Sequence, residues 1–156
     1  MRRSGRVKIR GIVQGVGFRP FVYATAIALG IRGFVKNRGS EVEIQASGDR
    51  FEEFLAQVSR GPPLSRIDRV EVFPDPGPFP DDFSIQASES GTLSGMIPPD
   101  IAVCEECLGD IHDPGGRYSG YWCTSCVNCG PRYSIIRDLP YDRERTTMDA
   151  FPMCPE

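Results

Sequence analysis

The chain has 156 residues, of which 40% are hydrophobic and 25% charged, with a formal net charge of −3. That is enough for one ordinary domain or two small ones. No stretch approaches the roughly 20 apolar residues of a membrane helix, and the basic start Met1-Arg2-Arg3 is not followed by the apolar run of about 7–15 residues that a signal peptide needs. A cytoplasmic protein with no membrane partner is therefore expected. The first 89 residues carry 13 Lys+Arg against 11 Asp+Glu, and the rest carry 5 against 10. An acidic second part argues against nucleic acid as a partner.

An alternating segment over residues 6–14 reads as the first strand. From Pro20 to about Leu29, Phe21, Ala24, Ala28 and Leu29 fall near helical spacing, with Gly30 as the stop. Residues 31–37 read as a second strand. Asn37-Arg38-Gly39-Ser40 is a turn sequence, and the strictly alternating residues 41–46 form a third strand hairpinned to the second. A second helix opens with Asp49 as its N-cap and buries Phe51, Phe54, Leu55 and Val58. Gly61-Pro62-Pro63 ends it. Residues 69–73 are a fourth strand and Phe83-Ser84-Ile85-Gln86 a short fifth. The order β-α-β-β-α-β is the ferredoxin-like split βαβ pattern, an α+β sandwich with two helices on one face of a mainly antiparallel sheet. The pattern is complete before Ser88-Glu89-Ser90-Gly91, so a first domain is expected over 1–90 and a cysteine-rich segment over 91–156.

Between the first strand and the first helix lies Gly11-Ile12-Val13-Gln14-Gly15-Val16-Gly17-Phe18-Arg19-Pro20. A strand, a glycine-rich turn and a helix start bring backbone N–H groups together at the positive end of the helix dipole. Arg19 adds a planar fork suited to phosphate. The same residues also fit a tight glycine turn beside a surface arginine.

All six cysteines follow residue 103. In a reducing compartment that clustering points to metal rather than disulfides. Cys104-Glu105-Glu106-Cys107 and Cys126-Val127-Asn128-Cys129 are two CxxC knuckles with the spacing of a tetrahedral four-thiolate zinc site. A redox CxxC would sit on a βαβ scaffold that this segment lacks. So few large apolar residues surround the knuckles that a structural metal would supply much of the folding free energy. Cys123 could compete as a ligand or be a filler or free thiol. His112, the only histidine, reads as an exposed loop residue. Cys154 would begin a further knuckle, a possible second zinc site cut short by the chain end.

The motif blocks carry a resemblance. Val13–Arg19, Gly33–Asn37, Ser65–Arg69 and Asp82–Ile85 resemble acylphosphatases, which hydrolyse carboxyl and carbamoyl phosphates. With the knuckles and with Ile97–Asp100, Cys129–Ile135, Leu139–Arg143 and Phe151–Pro155, the whole chain resembles the N-terminal part of HypF-type carbamoyltransferases, which mature nickel–iron hydrogenase. The resemblance implies that Arg19 binds the phosphoryl oxygens with the backbone amides of Gln14, Gly15, Val16, Gly17 and Phe18, and that Asn37 orients the attacking water. Without it, Asn37 would read as a turn residue. It implies hydrolysis of carbamoyl phosphate, or another acyl phosphate, supplying the carbamoyl group for cyanide-ligand synthesis. A HypE-type maturation protein would be the partner of the full-length enzyme. A stand-alone acylphosphatase is the alternative. The family's zinc loop has Phe where Cys123 stands.

Overall fold

The computed structural model describes residues 3–91 and 96–152. Five strands and two helices occupy the first part: β1 (Ser4–Ile12), α1 (Phe18–Leu29), β2 (Arg32–Arg38), β3 (Glu41–Ser47), α2 (Phe51–Val58), β4 (Arg66–Phe73) and β5 (Phe83–Ile85). They form one sheet of order β4-β1-β3-β2-β5. β1 pairs antiparallel with both β3 and β4, and β2 pairs antiparallel with β3. β5 adds to the outer edge of β2 in parallel. This is the expected ferredoxin-like α+β sandwich.

Side-chain alternation decides which face the helices cover. Val7, Ile9, Val35, Val42, Ile44 and Ala46 all project to one side and are fully buried. Against them α1 sets Phe18, Val22, Ala26 and Leu29, and α2 sets Phe51, Phe54 and Val58, each series at helical spacing. Phe83 closes the core from β5 by meeting Phe54 edge-on at 6.2 Å. The opposite sheet face is charged and self-complementary: Arg10 pairs with Glu41 at 2.8 Å and Arg38 with Glu43 at 3.0 Å.

Several boundaries differ from the sequence reading. Helix α1 starts at Phe18, not Pro20, because Gly17 adopts φ +73° and caps it. Pro20 still falls in the first turn, where a missing N–H breaks no helical bond. Arg50, not Asp49, precedes α2, and no side chain caps that helix. Asp49 instead lies 3.5 Å from Arg3. Asn37 is inside β2, opposite Val42, and the turn is made by the two residues after Arg38.

Beyond residue 96, regular structure is sparse: α3 (Glu105–His112), a 3-10 turn (Arg143–Arg145) and the isolated bridges Ile101–Gly130 and Ile136–Thr146. His112 is exposed as expected, but it ends α3 rather than lying in a loop. Cys154 lies outside the described residues. No helix among the described residues is long and apolar enough to cross a membrane.

Gly33 tests the β2–β3 register. It has φ +138°, and a Cβ there would lie 1.8 Å from the Gln45 carbonyl oxygen. Gly33→Ala should cost about 2 kcal/mol or more, read from urea denaturation. An unchanged midpoint would contradict this pairing.

Candidate functional site

The loop from β1 to α1 is shaped by two left-handed glycines, Gly15 (φ +68°) and Gly17 (φ +73°). These turns let the chain reverse from strand to helix within a few residues. Val16 and Phe18 plug into the core, fully and almost fully buried, which fixes the loop from below. Among the described residues, no acceptor receives the N–H groups of Val16, Gly17, Phe18 or Arg19; the first helical bond is from the N–H of Phe21 to the Gly17 carbonyl, 3.1 Å. Four backbone donors thus stand free at the positive end of a 12-residue helix.

Arg19 rises beside them. Its Nη2 donates to Asp142 Oδ1 at 2.7 Å and its Nη1 to Ser88 Oγ at 3.3 Å. Those bonds use two of the five guanidinium donors. A cavity of about 300 Å³ opens between Arg19 and Ser88 on one side and residues 142–145 on the other, large enough for a small molecule.

Asn37 is 1% exposed, and its Oδ1 is buried with no donor among the described residues. Buried polar atoms are seldom left unpaired, so such an atom calls for an explanation. Backbone links tie it to the arginine: the Glu89 N–H donates to the Asn37 carbonyl at 2.9 Å, and the neighbouring Ser88 holds Arg19. Gln14 ties the loop to the same strand end. Its Nε2 donates to the Gly39 carbonyl at 2.9 Å, and its Oε1 accepts the Tyr141 N–H at 2.8 Å.

The cysteine segment covers this loop from outside. Tyr141's ring lies 3.3 Å from where a Gly15 Cβ would stand, and Val127 lies 3.2 Å from that of Gly17. Arg132, 2% exposed, donates from Nε to the Gly15 carbonyl. Arg132, Tyr141, Asp142 and Ser88 had no role in the sequence reading. Arg132, Tyr141 and Asp142 fell within blocks noted there only as resemblance.

Cys104, Cys107, Cys126 and Cys129 converge as expected, with all four Sγ atoms within 4.8 Å of one another. The separations Cys104–Cys126, Cys126–Cys129 and Cys107–Cys129 are 3.7, 3.9 and 3.7 Å. A tetrahedron of thiolates about 2.3 Å from one ion has edges of roughly 3.8 Å, whereas a disulfide needs about 2.0 Å. The donor set fits one tetrahedral metal ion. Burial pushes the Cys107 thiol up, and its three sulfur neighbours add to this. Burial also acts upward on Cys129, but backbone hydrogen bonds at Cys126 and Cys104 outweigh it and bring that thiol down to about 7. Cys123 is exposed and outside the cluster.

Residues 5–85 match the acylphosphatase family, and the chain belongs to that family. Acylphosphatase from Caldivirga maquilingensis is 50% identical over 76 residues, spanning 46% of this chain and 80% of that protein. Residues 103–136 match the HypF finger, and over nearly its whole length the chain is similar to carbamoyltransferase HypF. The Rhodobacter capsulatus protein of that name is 46% identical over 154 residues, covering 98% of this chain and 21% of that one. Full-length HypF in its phosphate- and nucleotide-bound crystal form superposes with a TM-score of 0.90 at 39% identity, over 98% of this chain and 21% of that one. The chain thus spans about a fifth of the length of these carbamoyltransferases.

The carboxylate on Arg19 has a measurable consequence. An anion bound to the remaining donors would sit within a few ångströms of Asp142. Asp142→Asn keeps the acceptor and removes the like charge, so inorganic phosphate should bind about three- to tenfold more tightly. Weaker binding in a calorimetric titration would contradict this.

Proposed function

We propose that the chain is the acyl-phosphate-cleaving part of a HypF-type carbamoyltransferase and hydrolyses carbamoyl phosphate. The observation that carries this reading is the buried, undonated Oδ1 of Asn37, tied through Ser88 and Glu89 to the arginine that ends a row of free backbone donors. In this reading the phosphoryl oxygens take the N–H groups of Val16, Gly17, Phe18 and Arg19 and the free protons of the Arg19 fork. The loop amides of Gln14 and Gly15 complete the cradle. Asn37 Oδ1 accepts a hydrogen bond from the attacking water and so orients its oxygen toward phosphorus. A new P–O bond forms, the bond to the acyl oxygen breaks, carbamate leaves with the electron pair, and the proton lost by the water passes to a phosphoryl oxygen of the inorganic phosphate product. Carbamate is stable as an anion, so no side chain needs to protonate it. This agrees with a site built without histidine. Fixed donors aimed at the developing charge supply the catalysis.

The remaining assignments belong to the same proposal. Zinc is the metal of the four cysteines and is structural, since four thiolates leave no open position. Residues 1–90 and 91–156 are its two parts. The released carbamoyl group would be used, in the complete enzyme and with a HypE-type partner in the cytoplasm, for the cyanide ligand of nickel–iron hydrogenase. The alternative, a general acylphosphatase, draws support from the C. maquilingensis relative.

Arg19→Ala and Asn37→Ala should each lower turnover of carbamoyl phosphate by about a hundredfold or more, followed by phosphorus NMR, with the circular dichroism unchanged. Wild-type turnover in either folded variant would overturn the mechanism. Equal kcat/KM for acetyl and carbamoyl phosphate would favour the general acylphosphatase. Metal analysis should give one zinc per chain, and a value well below one would exclude the tetrathiolate site.

A further inference from the structure

Arg132 is a cation buried to 2% exposure. Among the described residues, no carboxylate lies within ion-pair distance of its guanidinium. All its side-chain partners are backbone carbonyls: Nε donates to Gly15, Nη1 to Gly130 at 2.9 Å and Nη2 to Val127 at 3.3 Å. Asp100, the nearby acid, accepts the backbone N–H of Arg132 at 2.8 Å and that of Ser134 at 3.2 Å. A buried charge without an opposite charge is costly and needs a reason.

Geometry supplies one. A trans peptide holds its C=O and N–H in opposite directions. Arg132 draws the Gly15 carbonyl outward, toward the cysteine segment. The N–H of Val16, in the same peptide, must then point to the other side of the loop, where it begins the row of free donors. The guanidinium also leaves an unneutralised positive charge directly behind the loop. Two of its carbonyl partners, Val127 and Gly130, lie within and just after the second cysteine knuckle, so the knuckle seats the arginine that aims the loop.

We infer that Arg132 is a positioning residue of the anion site: it sets the Gly15–Val16 peptide and adds positive potential to it, making the cysteine segment a working wall of that site. The inference rests on the phosphate-site reading of the loop, so its test uses inorganic phosphate and no turnover. The full chain, metal-loaded, is titrated with phosphate while backbone amides are followed by NMR, for wild type, Arg132→Met, Arg132→Lys and Arg137→Met.

Loss of a charge-assisted hydrogen bond predicts phosphate affinity at least about tenfold weaker in Arg132→Met. Arg132→Lys restores the charge without the three-way fork, and its affinity should lie between those of the Met variant and wild type. The Val16 amide should also move from its wild-type position in both Arg132 variants before any phosphate is added. Arg137→Met removes only the exposed ion pair to Asp149 at 2.7 Å, which makes no contact with the loop, and its affinity should match wild type. If wild type binds no phosphate, the site reading itself fails. If wild type binds and a folded Arg132→Met or Arg132→Lys binds equally well, the inference is overturned. Should the Met variant not fold, the Lys variant decides the matter.

Discussion

The site depends on one short piece of backbone that only glycine permits. Gly15 and Gly17 both sit at positive φ, and both are closely covered, by Tyr141 and Val127 respectively. Either feature alone would disfavour a side chain. Together they mean that the loop is specified twice, by its own conformation and by what lies against it. Buried Val16 and Phe18 hold it to the core, and the free N–H groups follow from that placement. Everything assigned to the anion site, from the Arg19 fork to the helix end, inherits its direction from this turn.

The cysteine segment is therefore more than an appendage that happens to be joined to an acylphosphatase-family fold. It contacts the loop at successive points: Tyr141 at Gln14 and Gly15, Arg132 at Gly15, Val127 at Gly17 and Asp142 at Arg19. A segment with one short helix and few apolar side chains has little else to organise it. Four converging thiols suited to one metal ion give it a rigid centre. That rigidity matters because the carbonyls seating Arg132 lie in and beside a knuckle.

Much of this was legible in the chain. Alternation in residues 41–46 separates the apolar side chains that face the helices from the charged and polar ones on the opposite face, and helical spacing from Phe51 to Val58 marks the buried side of α2, so the sheet and its helices could be read. The two CxxC knuckles needed only their spacing. The misreadings have physical causes. Gly17 can take a left-handed cap, and this moved the start of α1 ahead of Pro20. The turn signal over Asn37–Ser40 began too early: Asn37 stays in the strand read over 31–37, paired with Val42, and only Gly39 and Ser40 make the turn. Arg132, Tyr141 and Asp142 were illegible for a different reason. Their work depends on which loop they meet across more than a hundred residues of chain, and no local pattern encodes that meeting.

The central claim is that the β1–α1 loop is an anion cradle formed by its own backbone donors. An amide-resolved NMR titration of the full chain with inorganic phosphate tests it most directly. Saturable shifts should be largest at the amides of Val16, Gly17, Phe18 and Arg19, with the Asn37 side-chain amide moving along the same binding curve. Saturable binding centred elsewhere, or no movement of these amides at saturating phosphate, would contradict it.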